Sequence, residues 1–346
     1  MATTRRATPR LHAAKRAGGW DIDNWNLELP DPERGDFVGD RASHTAFRAI
    51  LRDMRRRART GDDPFGREAD PGGESVDKVL IGGDADAAHV VHLAVEQWAR
   101  ELAYVTRYFL ARPEWEGVER IVMGGGLPQG THGGLAVRRA QKLLQQARAG
   151  VELVVLGHDP DEAGMLGWVP LAPASTRRFE GFLAVDIGGN HYRCGIVLPR
   201  LDRAKDGAKA EMYESMVWRH SEDEPDREES IDRIAGMLNA LAALARTTGL
   251  KLAPFVGVAC PGDMDARGRL RAGTQNLPGD WEAPFDFPRE LASRLDRIGG
   301  ARPQVAMHND AVVQGLAEHA RMRGVRRWGV FTVGTGLGNA SYTRRA

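Results

Sequence analysis

Residues 182–197 read FLAVDIGGNHYRCGIV, and the rest of the chain can be placed outward from this stretch. The apolar run 182–185 has the length and composition of a buried strand, with Asp186 at its end. Gly188 and Gly189 allow a sharp reversal at positive φ, and residues 191–197 continue as a second strand. A carboxylate beside a glycine turn between two strands suits a phosphate and its magnesium ion. Backbone N–H groups face the anion while the acid holds metal-bound water. Taken alone, an Asp-x-Gly-Gly hairpin is equally an ordinary tight turn, so its meaning depends on its flanks.

Downstream, residues 211–218 read as a third strand and the acid-rich residues 221–229 as a turn. A helix over 231–246 turns Ile234, Leu238 and Leu241 inward, and a strand over 255–259 ends in Cys260, Pro261, Gly262 and Asp263. Three strands, a helix and another strand suggest a ribonuclease-H-like half. A turn-rich segment, GTQNLPGDW (273–281), precedes a helix near 287–297 and a strand ending in MHNDA. Asp310, in that ending, reads by itself as a helix N-cap. A helix over 311–322 then leads to WGVFTVGTGLGNASY, an apolar strand with a second glycine turn at 334–338.

Upstream, residues 20–40 mix aromatics, acids and prolines without periodicity and read as a loop with anchoring aromatics. Ser43 is a suitable N-cap for a helix over 43–59, with Ala46, Phe47, Ile50, Leu51 and Met54 on one face. Arg52, Arg55, Arg56, Arg57 and Arg59 form the other face, which reads as solvated surface. Residues 60–83, rich in Gly, Pro and Asp, read as a loop. A long amphipathic helix follows over 84–110, with Val91, Val95, Trp98, Leu102, Val105 and Phe109 inward. A strand over 120–123 ends in Gly124, Gly125 and Gly126, and a helix is expected from about Gly133 to Ala149. Strand, glycines and helix form a nucleotide-type geometry in which the helix start offers free N–H groups, although a plain turn has the same spelling. Residues 151–156 form another buried strand, and Asp159 or Asp161 caps a helix whose Gly164 and Gly167 permit close packing.

At 346 residues the chain has room for two domains. A formal net charge of +1 gives no global field toward nucleic acid or anionic lipid, and no apolar run reaches the length of a membrane span. Cys194 and Cys260 alone build neither a disulfide framework nor a Cys-rich metal site, which favours a reduced, cytoplasmic setting. The basic N-terminus lacks the long apolar core of a secretory signal and reads as a frayed tail. No aromatic interleaves its arginines before Trp20, so it does not read as a nucleic-acid binder.

In combination, these motifs resemble the ROK family of bacterial sugar kinases and related repressors, within the actin-like, hexokinase-like ATPase fold. DIGGNHYRCGIV resembles the family's first phosphate motif and FTVGTGLGN its second; GVACPGDMD, NLPGDW and HNDAVVQGLAE resemble its sugar-side motifs. ERIVMGGGLPQGTHGGLAVRRAQKLL and GHDPDEAGMLGWVPLAP resemble its C-terminal adenosine region and closing helix, yet both lie upstream of Asp186. The resemblance therefore implies a circularly permuted, two-lobed α/β fold in which residues 40–175 supply what normally follows the second phosphate motif. It divides the chain into a tail and loop (1–42), a larger nucleotide-side lobe (43–157 with 325–346) and a sugar-side lobe (158–324) carrying the first hairpin.

The resemblance implies ATP-dependent phosphorylation of a sugar hydroxyl, with Asp310 as general base and Asn276 and Asn309 bonded to sugar hydroxyls. Asp186 would position Mg2+ through water. Gly188, Gly189, Asn190, Gly334, Thr335 and Gly336 would hold the phosphates of ATP, and Gly124, Gly125 and Gly126 its adenosine side. The family's Cys-rich zinc loop has no counterpart, so no structural zinc is expected; Asp36, Asp40 and His44 stand in the loop that could substitute. Asn190 stands where the family usually has Thr, and His308 where it often has Glu. The competing expectation is a sugar or nucleotide sensor of the same fold without turnover. The family's repressors carry an N-terminal helix-turn-helix, and residues 1–42 show no such pair of helices. The implied partner is a small sugar, with neither nucleic acid nor membrane, and a homodimer is a candidate assembly.

Overall fold

The structure, a computed structural model, describes residues 11–345 apart from 59–62, 64 and 67. Arg59 and the first ten residues of the expected tail lie outside the described residues. The elements begin with β1 (Arg16–Ala17), β2 (Trp20–Trp25), α1 (His44–Arg57), α2 (Gly73–Gly82) and α3 (Ala85–Leu110). They continue with β3 (Arg120–Gly124), α4 (Gly126–Gln129), α5 (Thr131–Gln146), β4 (Glu152–Val155) and α6 (Pro160–Leu166). Next come β5 (Gly181–Ile187), β6 (Tyr192–Leu198), β7 (Glu211–Trp218), α7 (Arg227–Thr247) and β8 (Leu252–Cys260). The remainder is β9 (Asp263–Met264), β10 (Leu270–Ala272), α8 (Phe287–Arg294), β11 (Gln304–Asn309), α9 (Asp310–Ala317), β12 (Arg327–Val333) and β13 (Leu337–Arg344).

The chain divides into two units, one of Asp161–Arg321 with residues 11–22 and Arg345, the other of Asp23–Pro160 with Met322–Arg344. The first holds a five-stranded sheet in the order β11-β8-β5-β6-β7. β5, β6 and β7 form an antiparallel meander, whereas β8 lies parallel to β5 and β11 parallel to β8. A meander followed by two parallel strands on its first edge is the ribonuclease-H-like arrangement. Strands β5 and β8 are near-continuous apolar runs because both faces of the sheet are covered. Trp168, Phe182, Phe255 and Val313 pack into one apolar cluster, and α7 buries Ile234, Leu238 and Leu241. Gly257 lets the Trp168 ring lie directly on β8, since a Cβ there would strike the indole.

The second unit holds strands in the order β13-β12-β3-β4, with residues 23–25 of β2 beyond β13. β12 pairs antiparallel with β13 and parallel with β3, which pairs parallel with β4. Taking β12, β13, β2, β3 and β4 as strands one to five, this order repeats that of the first sheet. The core joins Trp98, Leu102, Val105 and Phe109 of α3 to Phe47 of α1, Met123 of β3 and Phe331 of β12. The Trp98 indole N–H also donates to Ser43 O at 3.1 Å, while the Ser43 hydroxyl caps α1.

Three local expectations are corrected. Residues 20–25 form a strand rather than a loop: Trp20 and Ile22 alternate inward between acids, a period-two signal hidden by the surrounding polar residues. Within 60–83, α2 forms between glycine pairs and buries only Val76, too little for a visible periodicity. Gly188 lies outside the left-handed region, because the reversal needs no positive φ there: the Gly188 N–H reaches His191 O at 3.0 Å across a two-residue loop.

Candidate active site

Parallel strands deliver their C-terminal ends to one edge of a sheet, the customary place for a ligand in such folds. In the first unit β5, β8 and β11 do this together, with Asp186 opposite Ala259 and Asn309 opposite Cys260. Asn309 is the N-cap of α9, its Oδ1 accepting from Val312 N–H at 3.3 Å and its Nδ2 donating to Gly262 O at 3.1 Å. The cap expected at Asp310 is thus supplied by Asn309, and Asp310 becomes the first helical residue.

Asp310 and Asp186 lie within electrostatic reach of one another. Burial raises the Asp310 carboxyl to about 6, the Asp186 charge adds to this, and the backbone N–H groups of Ala311 and Asp310 itself oppose it. Asp186 is also raised by burial, an effect countered by Arg193 and reinforced by Asp161. Cys260, buried beside both carboxylates, has its thiol pushed well above the ordinary value, which removes it as a nucleophile.

Arg193 is the residue the sequence reading missed. Its guanidinium donates to Asp186 Oδ2 at 3.3 Å and pairs with Asp161 at 2.7 Å. The signal was present: a hairpin closed between Gly188 and His191 puts position 193 opposite 186, and the register is Asp186↔Arg193. Helix α6 approaches at Gly164, where an added Cβ would lie 2.5 Å from Asp186 Cγ. Gly167 similarly rests on the backbone of Val313 in α9.

The hairpin turn is held from below by His220, whose Nε2–H donates to Gly188 O at 2.9 Å. Asn190 is exposed at the tip, its carbonyl accepting from Ser221 N–H at 3.4 Å, and Gly189 beside it is half-buried. Asn276 is exposed on a turn closed by Leu277 N–H to Thr274 O at 2.8 Å.

In the second unit the two glycine segments are neighbours. Gly124 ends β3 opposite Thr332 of β12. Gly125, at φ +86°, packs against the Val333 backbone so closely that no side chain fits, and Gly126 opens α4. Across β12, Gly334 N–H donates to Gly336 O at 3.0 Å. The start of α1 steadies this turn: His44 N–H donates to Gly334 O at 2.9 Å and the Thr45 hydroxyl to Thr335 O at 2.8 Å. Asp40 stands beside Gly336, and burial raises its carboxyl. The free N–H groups expected after the glycines are not at α5. Asp77 accepts from Thr131 N–H at 2.9 Å and His132 N–H at 2.8 Å, capping that helix with a carboxylate of the chain itself.

Among the described residues no cluster of three or more His, Cys, Asp or Glu side chains forms a metal site. No described helix is long and apolar enough to cross a membrane.

No family model and no curated protein matches the chain. Solved structures similar to it include a putative sugar kinase from Cytophaga hutchinsonii ATCC 33406, 16% identical over 47% of this chain and 48% of that one, at a TM-score of 0.36. A ROK hexokinase from Thermus thermophilus is 23% identical over 47% of each chain, at a TM-score of 0.32. An inorganic polyphosphate/ATP-glucomannokinase from Arthrobacter sp. strain KM is 25% identical over 46% of this chain and 57% of that one, at a TM-score of 0.34. The chain thus matches about half the length of these proteins.

Proposed function

We propose that the protein transfers a phosphoryl group from ATP to a hydroxyl of a hexose or related sugar. The observation that carries this reading is the pair Asp186 and Asp310 at the C-terminal edge of one sheet, both carboxyls raised by burial and that of Asp310 further by the Asp186 charge. Phosphoryl transfer asks little covalent chemistry of the protein; it needs alignment, charge neutralisation and a base for the attacking hydroxyl. Asp310, at about 6, is ionised at neutral pH yet basic enough to take a proton from a bound hydroxyl. Such help is typically worth roughly 10² to 10⁴ in rate.

Two carboxylates that repel one another favour a hard cation, and Asp186, carrying oxygen donors only, suits Mg2+ held through water. When bound, the ion would neutralise charge on the phosphates of ATP. The backbone of Gly188, Gly189, Asn190, Gly334, Thr335 and Gly336 would hold the phosphates. Gly124, Gly125 and Gly126 would take the adenosine side, and exposed Asn276 the sugar. Asn309, which already bonds Val312 and Gly262, retains one N–H and acceptor capacity for a hydroxyl.

A circularly permuted fold is part of this reading. Its support is the repeated strand order, which requires β12 to count as a first strand and β2 as the third. A reducing, cytoplasmic setting fits the unpaired, buried Cys194 and Cys260.

A sensor without turnover is the second reading, favoured by the Asp77 carboxylate that already occupies the start of α5. ADP release with Mg-ATP over a panel of hexoses, amino sugars and polyols separates the two. Turnover abolished by Asp310→Asn supports the kinase. ATP binding without turnover on any sugar supports the sensor, and failure to bind ATP removes both. Sedimentation velocity decides whether a homodimer accompanies either reading.

A further inference from the structure

Residues 12–14, ahead of β1, are tied to the strand that delivers Asp310. β11 is an edge strand of its sheet, and its outer side is taken by residues 12–14. Ala13 N–H donates to Met307 O at 3.0 Å, and Met307 N–H donates to His12 Nδ1 at 3.3 Å. Gly268 makes room for this arrangement, since a Cβ there would collide with the His12 ring. Ala13 holds φ +45°, a conformation that a non-glycine residue adopts only when its surroundings impose it.

His308 extends the tie into the site. The residue is 1% exposed. Nε2–H donates to Ala14 O at 2.9 Å, and Nδ1 accepts from Asn309 N–H at 2.8 Å. This fixes the neutral tautomer, and burial lowers the imidazole to about 4, so it stays neutral through the physiological range. A chain of bonds thus runs from Ala14 through the imidazole to Asn309, which caps α9 and sets the backbone at Asp310.

We propose that His308 and the strap formed by residues 12–14 are positioning elements for Asp310, so that the N-terminal segment is a working part of the acceptor side. This rests on Asp310 being the base of the proposed kinase. His308 touches no reacting atom; it holds the residues that do. Displacing a base by an ångström lowers turnover without weakening nucleotide binding, so the loss falls on kcat rather than on the KM for ATP.

The test combines kinetics with amide hydrogen exchange on the full chain, a variant lacking residues 1–14, and His308→Ala. Both variants are expected to lose roughly tenfold to a hundredfold in kcat with an unchanged KM for ATP. Exchange at Asn309 and Asp310 should speed up at least about tenfold while α7 stays protected. If the wild type phosphorylates no sugar, the kinase reading fails and the exchange data still judge the strap. Should α7 lose protection too, two half-variants decide. His308→Asn keeps an acceptor for Asn309 N–H and should leave its exchange slow, whereas His308→Gln keeps the donor to Ala14 and should not. Wild-type exchange at Asn309 and Asp310 in the truncated chain, or in both half-variants, overturns the proposal.

Discussion

Asp310 is where function and stability oppose each other. Its folded value of about 6 lies above the ordinary 3.8, so between these pH values the native state holds a proton that the unfolded chain releases. Stability from this group is therefore present below pH 4 and lost as pH rises through 6. Asp310→Asn should stabilise the protein above pH 6, by on the order of 2 kcal/mol, and have little effect near pH 4. Urea unfolding at pH 4 and pH 8 checks this. In the wild type, kcat/KM for the sugar should fall as pH drops through about 6, because the proposed base becomes protonated in the free protein. Gly164 is the other informative residue. Gly164→Ala places a methyl 2.5 Å from Asp186 Cγ and should cost about 1–3 kcal/mol in thermal or urea unfolding. It should also lower turnover more than it lowers stability, whereas an unchanged kcat would show that Asp186 can move without consequence.

At the scale of elements, α5 is finished by a residue distant in sequence. The start of α5 is capped by Asp77 of α2, whose carboxyl is held below its usual value by His132 and by the backbone N–H groups of Thr131 and His132, against the opposing effect of burial. A lowered value contributes stability at neutral pH that is lost on acidification. Asp77→Ala should then cost roughly 1 kcal/mol at pH 7, and the difference should shrink below pH 4, as followed by urea unfolding. Capping of this kind explains why α5 could be read only approximately. Its apolar stripe was visible, but Gly130 and Thr131 gave no side-chain cap, and the true cap lies far upstream. The same holds for β2, whose alternation of Trp20 and Ile22 with acids became a strand only against the sheet that accepts it.

At the scale of the molecule, the proposed permutation makes a prediction of its own. Arg345 N–H donates to Gly19 O at 3.0 Å, so the last described residue lies beside the turn between β1 and β2. A chain in which residue 345 is joined to residue 11 by a flexible linker, with new ends opened in the turn-rich segment 172–179, should fold to the same two units. Circular dichroism and a single cooperative thermal transition within a few degrees of the original would establish it. Loss of cooperative folding would mean that the present order of segments is itself required.

Local chemistry was sufficient for the strands β5, β8 and β12, since apolar runs closed by glycines have few other ways to satisfy their backbone. It was sufficient also for the hairpin at Asp186, whereas the link from Asp310 to that hairpin came from the resemblance of the combined motifs and not from local pattern. The tertiary structure alone decided that Asn309 rather than Asp310 caps α9, that Arg193 answers Asp186 and that Asp77 fills the start of α5. It alone tied His308 to Ala14. Each of these depends on groups brought together by strand register or by packing between segments far apart in the chain. A short-range pattern carries no record of such pairings, because their energy arises only when the sheet has formed and the polar groups at its edge must find partners.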